Sequence, residues 1–90
     1  MNGRRTTYAG RVQGVGFRWK IRALAAGYEV RGSVRNTDEG SVELLVHGDH
    51  LEVEAFLEAI RTSDLAGLIS SESSEEACLP PGSRGFHIVV

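Results

Sequence analysis

Apolar residues recur along the chain at two different periods. The segment TTYAGRV, residues 6–12, is rich in Thr, Tyr and Val and runs into glycines, which predicts a first β-strand. From Phe17 onward, Phe17, Ile21, Leu24 and Ala25 fall at i, i+4, i+7 and i+8, one apolar face of a helix. Gly27 stands where a C-terminal cap belongs. VRGSVRN, TDEG and SVELLVH then predict strand, tight turn and strand: Val42, Leu44 and Val46 alternate onto one face, and Asp38 and Gly40 are placed to supply the turn's unusual backbone angles. A second helix is predicted from GDHLE onward. Asp49 can cap the amide three residues on, Glu52 occupies the capping-box position, and Val53, Phe56, Leu57 and Ile60 form the buried stripe.

Beyond Ser63 the periodicity fades. A short edge strand over residues 65–71 is expected to run into an acidic, serine-rich loop interrupted by Pro80 and Pro81, and GFHIVV closes the chain as a last strand. The order β-α-β-β-α-β predicts an α+β, ferredoxin-like split βαβ sandwich, an antiparallel sheet with two helices on one face. That order places GRVQGVGFRW, residues 10–19, at a strand-to-helix junction.

Ninety residues suit a single domain, 1–90, large enough for a two-layer core that removes roughly 60 to 65% of the unfolded chain's surface from water. No apolar run approaches the roughly 20 residues that a membrane span requires. The first ten residues contain two arginines with no apolar stretch behind them, so a secretory signal is not expected and a cytoplasmic location is. The one cysteine, Cys78, has no partner for an intramolecular disulfide, in keeping with a reducing compartment.

The net charge of −2 hides an asymmetry. Residues 1–36 carry eight Arg or Lys against Glu29, a balance of +7, whereas residues 37–90 carry Arg61 and Arg84 against eleven acids, a balance of −9. The basic half contains the glycine-rich junction, which suits an anionic ligand, either a small phosphate or a nucleic acid.

The junction has a physical reading as a phosphate cradle. Gly14 and Gly16 allow positive φ and can turn successive N–H groups into a concavity that binds oxyanions. The helix N-terminus behind them has amides without internal acceptors and a partial positive charge. Arg18, just inside that helix, can lay its planar fork over two phosphate oxygens. Two other phosphate motifs fail. A Walker loop needs Lys and then Ser or Thr after its last glycine, where this chain has Phe17, Arg18 and Trp19, and a dinucleotide fingerprint starting at Gly14 needs glycine in place of Trp19. A glycine loop that only turns the chain, with a surface Arg18, is the bland alternative.

GRVQGVGFRW, followed by Asn36 in VRNTDEGSVE, resembles the two signature motifs of the acylphosphatase family, over about residues 8–60, and GFHI resembles its closing strand. The resemblance implies a small, metal-free and cofactor-free ferredoxin-like enzyme. Such an enzyme hydrolyses the carboxyl–phosphate bond of an acyl phosphate and releases inorganic phosphate; a monomer without nucleic-acid or membrane partners is expected of this chain. It puts the catalytic arginine at Arg18 and the catalytic asparagine at Asn36. The substrate-binding loop falls on Val12, Gln13, Gly14, Val15, Gly16 and Phe17 together with Arg18. This chain departs from the family at Ser33, where an aromatic is usual, at Glu39, in place of a common Asp, and over residues 64–84, which bears on packing and substrate fit. A non-catalytic phosphate-binding module remains an alternative, similar to the acylphosphatase-like domain fused to the carbamoyl-transferring hydrogenase maturation protein; a standalone chain argues against it.

The chemistry fits what the motifs lack. An acyl phosphate departs as a carboxylate with a pKa near 4, roughly, so no general acid is needed at neutral pH. Asn36 would orient water, being a poor base, and the water's proton would pass to a phosphate oxygen.

Other signals carry less. Cys78 and Arg84 have the C-x5-R spacing of cysteine phosphatases, but Pro80 and Pro81 have no amide hydrogens to turn inward and a strand follows Arg84. His47 and His50 are read as solvated rather than as a metal pair, His87 as an exposed strand position, and Trp19 as packing beside the apolar stripe. An RNA-binding domain of the same element order would need aromatics on its two central strands, where SVELLVH has none and TTYAGRV has one.

Overall fold

The computed structural model describes residues 2–78 and 84–89. The elements are β1 (Asn2–Gly10), α1 (Phe17–Ala25), β2 (Val30–Asn36), β3 (Val42–Gly48), α2 (His50–Arg61), a 3-10 turn (Asp64–Leu68), β4 (Ile69–Cys78) and β5 (Phe86–Val89). They form the expected α+β ferredoxin-like fold, with one sheet in the order β4-β1-β3-β2-β5. The sheet is mixed rather than wholly antiparallel. β1 and β2 both run against β3, β4 runs against β1, and β5 lies parallel to β2 at the opposite edge from β4.

Alternation sorts the strands cleanly. Thr6, Tyr8, Val34, Val42, Leu44 and Val46 are buried, as are Phe17, Ile21 and Ala25 of α1 and Val53, Phe56, Leu57 and Ile60 of α2. Burying each large apolar side chain contributes about 1.5–3 kcal/mol, which is enough to fix both helices on this face. The Phe56 ring meets Tyr28 at 6.0 Å and Phe86 at 5.8 Å, so α2 clamps the short β5 against the sheet. On the other face, Arg5 bonds Glu75 at 3.1 Å and Arg35 bonds Glu43 at 3.0 Å, with Arg5 and Glu43 3.9 Å apart.

β1 begins four residues earlier than expected and β4 replaces the expected short strand and loop. Both differences have one cause. Residues 2–5 and 75–78 have weak strand propensity on their own, but Arg4 lies opposite Glu76 and Arg5 opposite Glu75, and cross-strand pairing of opposite charges favours the ladder over local preference. The two oppositely charged halves of the chain are therefore largely brought against each other, with further pairs between Arg4 and Glu54 and between Lys20 and Asp64. β1 also stops at Gly10, two residues early. There a side chain would meet Leu68 O at 2.3 Å, and the chain leaves the sheet with Arg11 N–H bonded to Leu68 O at 2.9 Å.

Local signals differ in detail. Asp49 caps α2 through Leu51 N–H, two residues on. Glu52 does not close a capping box and accepts instead from Glu29 N–H at 2.8 Å, tying α2 to the start of β2. α1 ends on Ala26, and Gly27 only continues the turn, its N–H bonding Leu24 O. In the turn between β2 and β3, Gly40 has positive φ and Asp38 does not.

Candidate active site

Residues 11–16 join β1 to α1. Gly14 (φ 76°) and Gly16 (φ 78°) are both left-handed, and a Cβ at either would meet nothing within 4 Å, so the demand for glycine is torsional. An L-residue there costs roughly 1–2 kcal/mol. Val12 and Phe17 are buried and pin the two ends of the loop into the core, with the Phe17 ring 5.7 Å from Tyr8. Their contribution to any ligand is through backbone alone. Gly14, Val15 and Gly16 are exposed between those anchors.

The two helices differ at their N-termini. α2 is capped by its own Asp49, whereas α1 starts on Gly16 with no side-chain cap and no acid in its first turn. Among the described residues, the amides of Gln13 through Trp19 meet no acceptor, and the first helical bond is Lys20 N–H to Gly16 O at 3.1 Å. Unfilled donors and the helix dipole together favour an oxyanion.

Gln13 does not point into this concavity. Its Nε2 donates to Thr37 O at 3.0 Å and Ser41 O at 2.8 Å, which clamps the loop to the β2–β3 turn immediately after Asn36. Its place in the sequence motif is thus explained by positioning.

Arg18 and Asn36, 18 residues apart in sequence, line one cleft of about 340 Å³ together with Arg35 and Val89. Arg18 is half-buried, and its Nη1 donates to Val89 O at 3.2 Å, which steadies the guanidinium beside the loop. Asn36 ends β2 opposite Val42, and its Oδ1 is buried with no hydrogen-bond partner among the described residues. A lone buried acceptor costs about 1–3 kcal/mol, and such an atom leaves the carboxamide's orientation to be set by what enters the cleft. Among the described residues the lining holds two guanidiniums and an amide but no carboxylate, thiol or imidazole. Arg35 is a lining residue that the sequence analysis does not single out, and strand alternation sends it to the opposite face from Asn36. The signal that could have found it is its position at the end of a strand, next to Asn36.

A larger groove of about 420 Å³ lies between α1 and the 3-10 turn, lined by Trp19, Lys20, Ala23, Leu24, Ser63 and Asp64. Its cation, Lys20, is already paired with Asp64. Trp19 is 65% exposed, not packed. Two residues along a helix from Phe17 is a rotation of about 200°, which turns the indole away from the core, where the Arg22 guanidinium lies 5.7 Å from the ring centre.

The remaining sequence candidates fall outside the cleft. His47 is buried, contrary to expectation, because its strand position sits between two neighbouring strands opposite Gly3 and Arg31. Burial, and after it the nearby positive charges of Arg31 and the N-terminus, lower its pKa. Burial also pushes the Tyr8 phenol up. His50 and His87 are exposed, as expected. Cys78 is exposed at the end of β4, while Pro80 and Pro81 lie outside the described residues. Among the described residues no group of three or more His, Cys, Asp or Glu could hold a metal ion, and no helix is long and apolar enough to cross a membrane.

The chain is similar to several known proteins. The family model "Acylphosphatase" matches residues 4–88. The acylphosphatase of Bacillus velezensis is 38% identical over 79 residues, covering 88% of each chain. The crystal structure of acylphosphatase from Bacillus subtilis superposes with a TM-score of 0.87 at 33% identity and covers 100% of both chains. Thermococcus kodakarensis HypF matches all of this chain with a TM-score of 0.87 at 26% identity, but the match is 12% of that longer chain.

Proposed function

The chain belongs to the acylphosphatase family of enzymes, and on that premise we propose that it hydrolyses small acyl phosphates with Arg18 and the loop amides holding the phosphoryl group and Asn36 placing the water. The observation that carries this reading is the convergence of Arg18 and Asn36 on one cleft at the exit of an uncapped, glycine-built loop.

In the reaction a bond forms from the water oxygen to phosphorus as the bond from phosphorus to the acyl oxygen breaks. The electron pair leaves with the carboxylate, and the water's proton passes to a phosphoryl oxygen, giving a carboxylate and inorganic phosphate. A carboxylate with a pKa near 4, roughly, leaves at neutral pH without a general acid. What remains is charge and geometry. Each hydrogen bond to a charged phosphoryl oxygen contributes about 1.5–3 kcal/mol, so the Arg18 fork and several free amides together hold a dianion. They also hold the planar transition state, whose charge is spread over the three equatorial oxygens. The Asn36 carboxamide, unpartnered at Oδ1, orients the water for in-line attack.

The finer parts of the reading have separate support. Metal independence is supported by the charge that the guanidinium and amides themselves supply. A cytoplasmic setting is supported by the exposed Cys78, the one cysteine of the sequence. Function without nucleic acid is supported by the open sheet face, which carries ion pairs where an RNA-binding sheet has stacking aromatics.

The test is hydrolysis of benzoyl phosphate, followed by ultraviolet absorbance, with EDTA present throughout. The expected result is turnover that the chelator leaves unchanged and that Arg18→Ala abolishes. A protein that binds inorganic phosphate but does not turn over would instead be a binding module.

A further inference from the structure

One short element holds both ends of the phosphate loop. Where the loop leaves β1, Arg11 N–H bonds Leu68 O at 2.9 Å, and Gly10 approaches the same carbonyl so closely that a Cβ there would lie 2.3 Å from it and 2.7 Å from Ser70 N. Where the loop enters α1, the Lys20 ammonium pairs with the Asp64 carboxylate. Asp64 and Leu68 are the first and last residues of the same 3-10 turn, five residues long. Entry and exit of the loop are thus referred to one unit.

That unit is itself well anchored. Ser63 Oγ accepts from Leu65 N–H at 3.1 Å and donates to Ile60 O at 2.7 Å, which joins the turn to the end of α2. Ala66 N–H returns to Ser63 O at 3.1 Å, and Leu65 is buried in the core. Lys20 stands in the first turn of α1, where its own N–H makes the first helical bond, to Gly16 O. A shift of Lys20 therefore carries the amides of Gly16, Phe17 and Arg18 with it, while Arg11 stays fixed on Leu68. The distance between those two ends is the width that an oxyanion must fill.

Resting on the function proposed above, we infer that the 3-10 turn sets the width of the phosphate loop and that Lys20 and Asp64 are positioning residues, which act on phosphate affinity through the loop amides without touching substrate. The Gln13 clamp has the complementary part. It ties the loop to the hairpin that carries Asn36 and so acts on turnover, whereas the turn acts on binding.

Charge alone and this brace predict opposite signs for one substitution. Asp64→Asn removes a negative charge from the neighbourhood of an anion site, so simple electrostatics makes phosphate bind more tightly. Loss of the brace makes it bind less tightly. The expected result, by calorimetry with inorganic phosphate well below Tm, is a Kd raised about two- to fivefold, the size of one exposed ion pair. KM for benzoyl phosphate should rise alongside, with kcat little changed. Asp64→Glu keeps the charge and should retain most of the wild-type affinity. The double variant Lys20→Met/Asp64→Asn should lose about as much affinity as Asp64→Asn alone, because both substitutions break the same contact, whereas independent charges would largely cancel. An Asp64→Asn protein that binds phosphate as tightly as wild type, or more tightly, overturns this inference and leaves the enzyme an acylphosphatase. If wild-type protein neither binds phosphate nor hydrolyses benzoyl phosphate, the function reading fails first and this inference falls with it.

Discussion

Replacing Gln13 by Ala separates a positioning role from direct substrate contact. One carboxamide nitrogen donates to Thr37 O at 3.0 Å and Ser41 O at 2.8 Å, joining the phosphate loop to the turn that follows Asn36. A neutral hydrogen bond contributes about 0.5–1.5 kcal/mol net, and both of these lie at the surface, so about 1 kcal/mol for the pair is reasonable. In a domain of 60–100 residues that lowers Tm by roughly 4–8 °C. The larger effect falls on turnover, because the loop that holds phosphate and the strand end that holds Asn36 are no longer tied. A misplacement on the order of 1 Å costs up to about a hundredfold in rate. Thermal denaturation, steady-state hydrolysis and competitive inhibition by inorganic phosphate report the three quantities separately. The expected pattern is a lower Tm, a kcat reduced by about tenfold or more, and a phosphate inhibition constant close to wild type. A weakened phosphate affinity with unchanged Tm would show that Gln13 binds the ligand and would refute the clamp.

Other perturbations follow from the same geometry. Gly16→Ala forces an L-residue to φ 78° in open space, so it should cost about 1–2 kcal/mol of stability by denaturant melt and weaken phosphate binding several-fold; an unchanged phosphate affinity would mean that the left-handed turn does not set the amides. His47 has its pKa lowered from the ordinary 6.5, so the unfolded chain takes up the proton first. Its contribution is fully present above the unfolded value, drains away as pH falls through 6.5 toward the folded value, and should disappear from the pH profile of unfolding free energy in His47→Gln.

Much of the fold was legible because its signals were local. The stripe Val53, Phe56, Leu57 and Ile60 is buried as the period requires, and the hairpin from Val30 to Gly48 pairs across the predicted turn. β4 was not legible. ISSESSEEAC has no apolar alternation, and its strand exists because β1 offers Arg4 and Arg5 opposite Glu76 and Glu75, a relation between residues some 70 positions apart. The same limit applies to His47, whose burial comes from neighbouring strands. Within the site, the motif residues Arg18 and Asn36 meet as expected, whereas Gln13 turns to the hairpin and Arg35 comes round the end of β5. Strand alternation describes which face a side chain leaves from and does not describe how a cleft at a sheet edge reaches both faces.

The most direct test of the proposed mechanism is to determine kcat for benzoyl phosphate and the inhibition constant of inorganic phosphate for Asn36→Ala and Arg18→Ala side by side. If Arg18 and the loop bind while Asn36 orients water, Arg18→Ala loses affinity and rate together, and Asn36→Ala keeps its phosphate affinity while kcat collapses. An Asn36→Ala protein that retains most of its kcat would contradict the assignment, and attack by water would then be organised by some other part of the cleft.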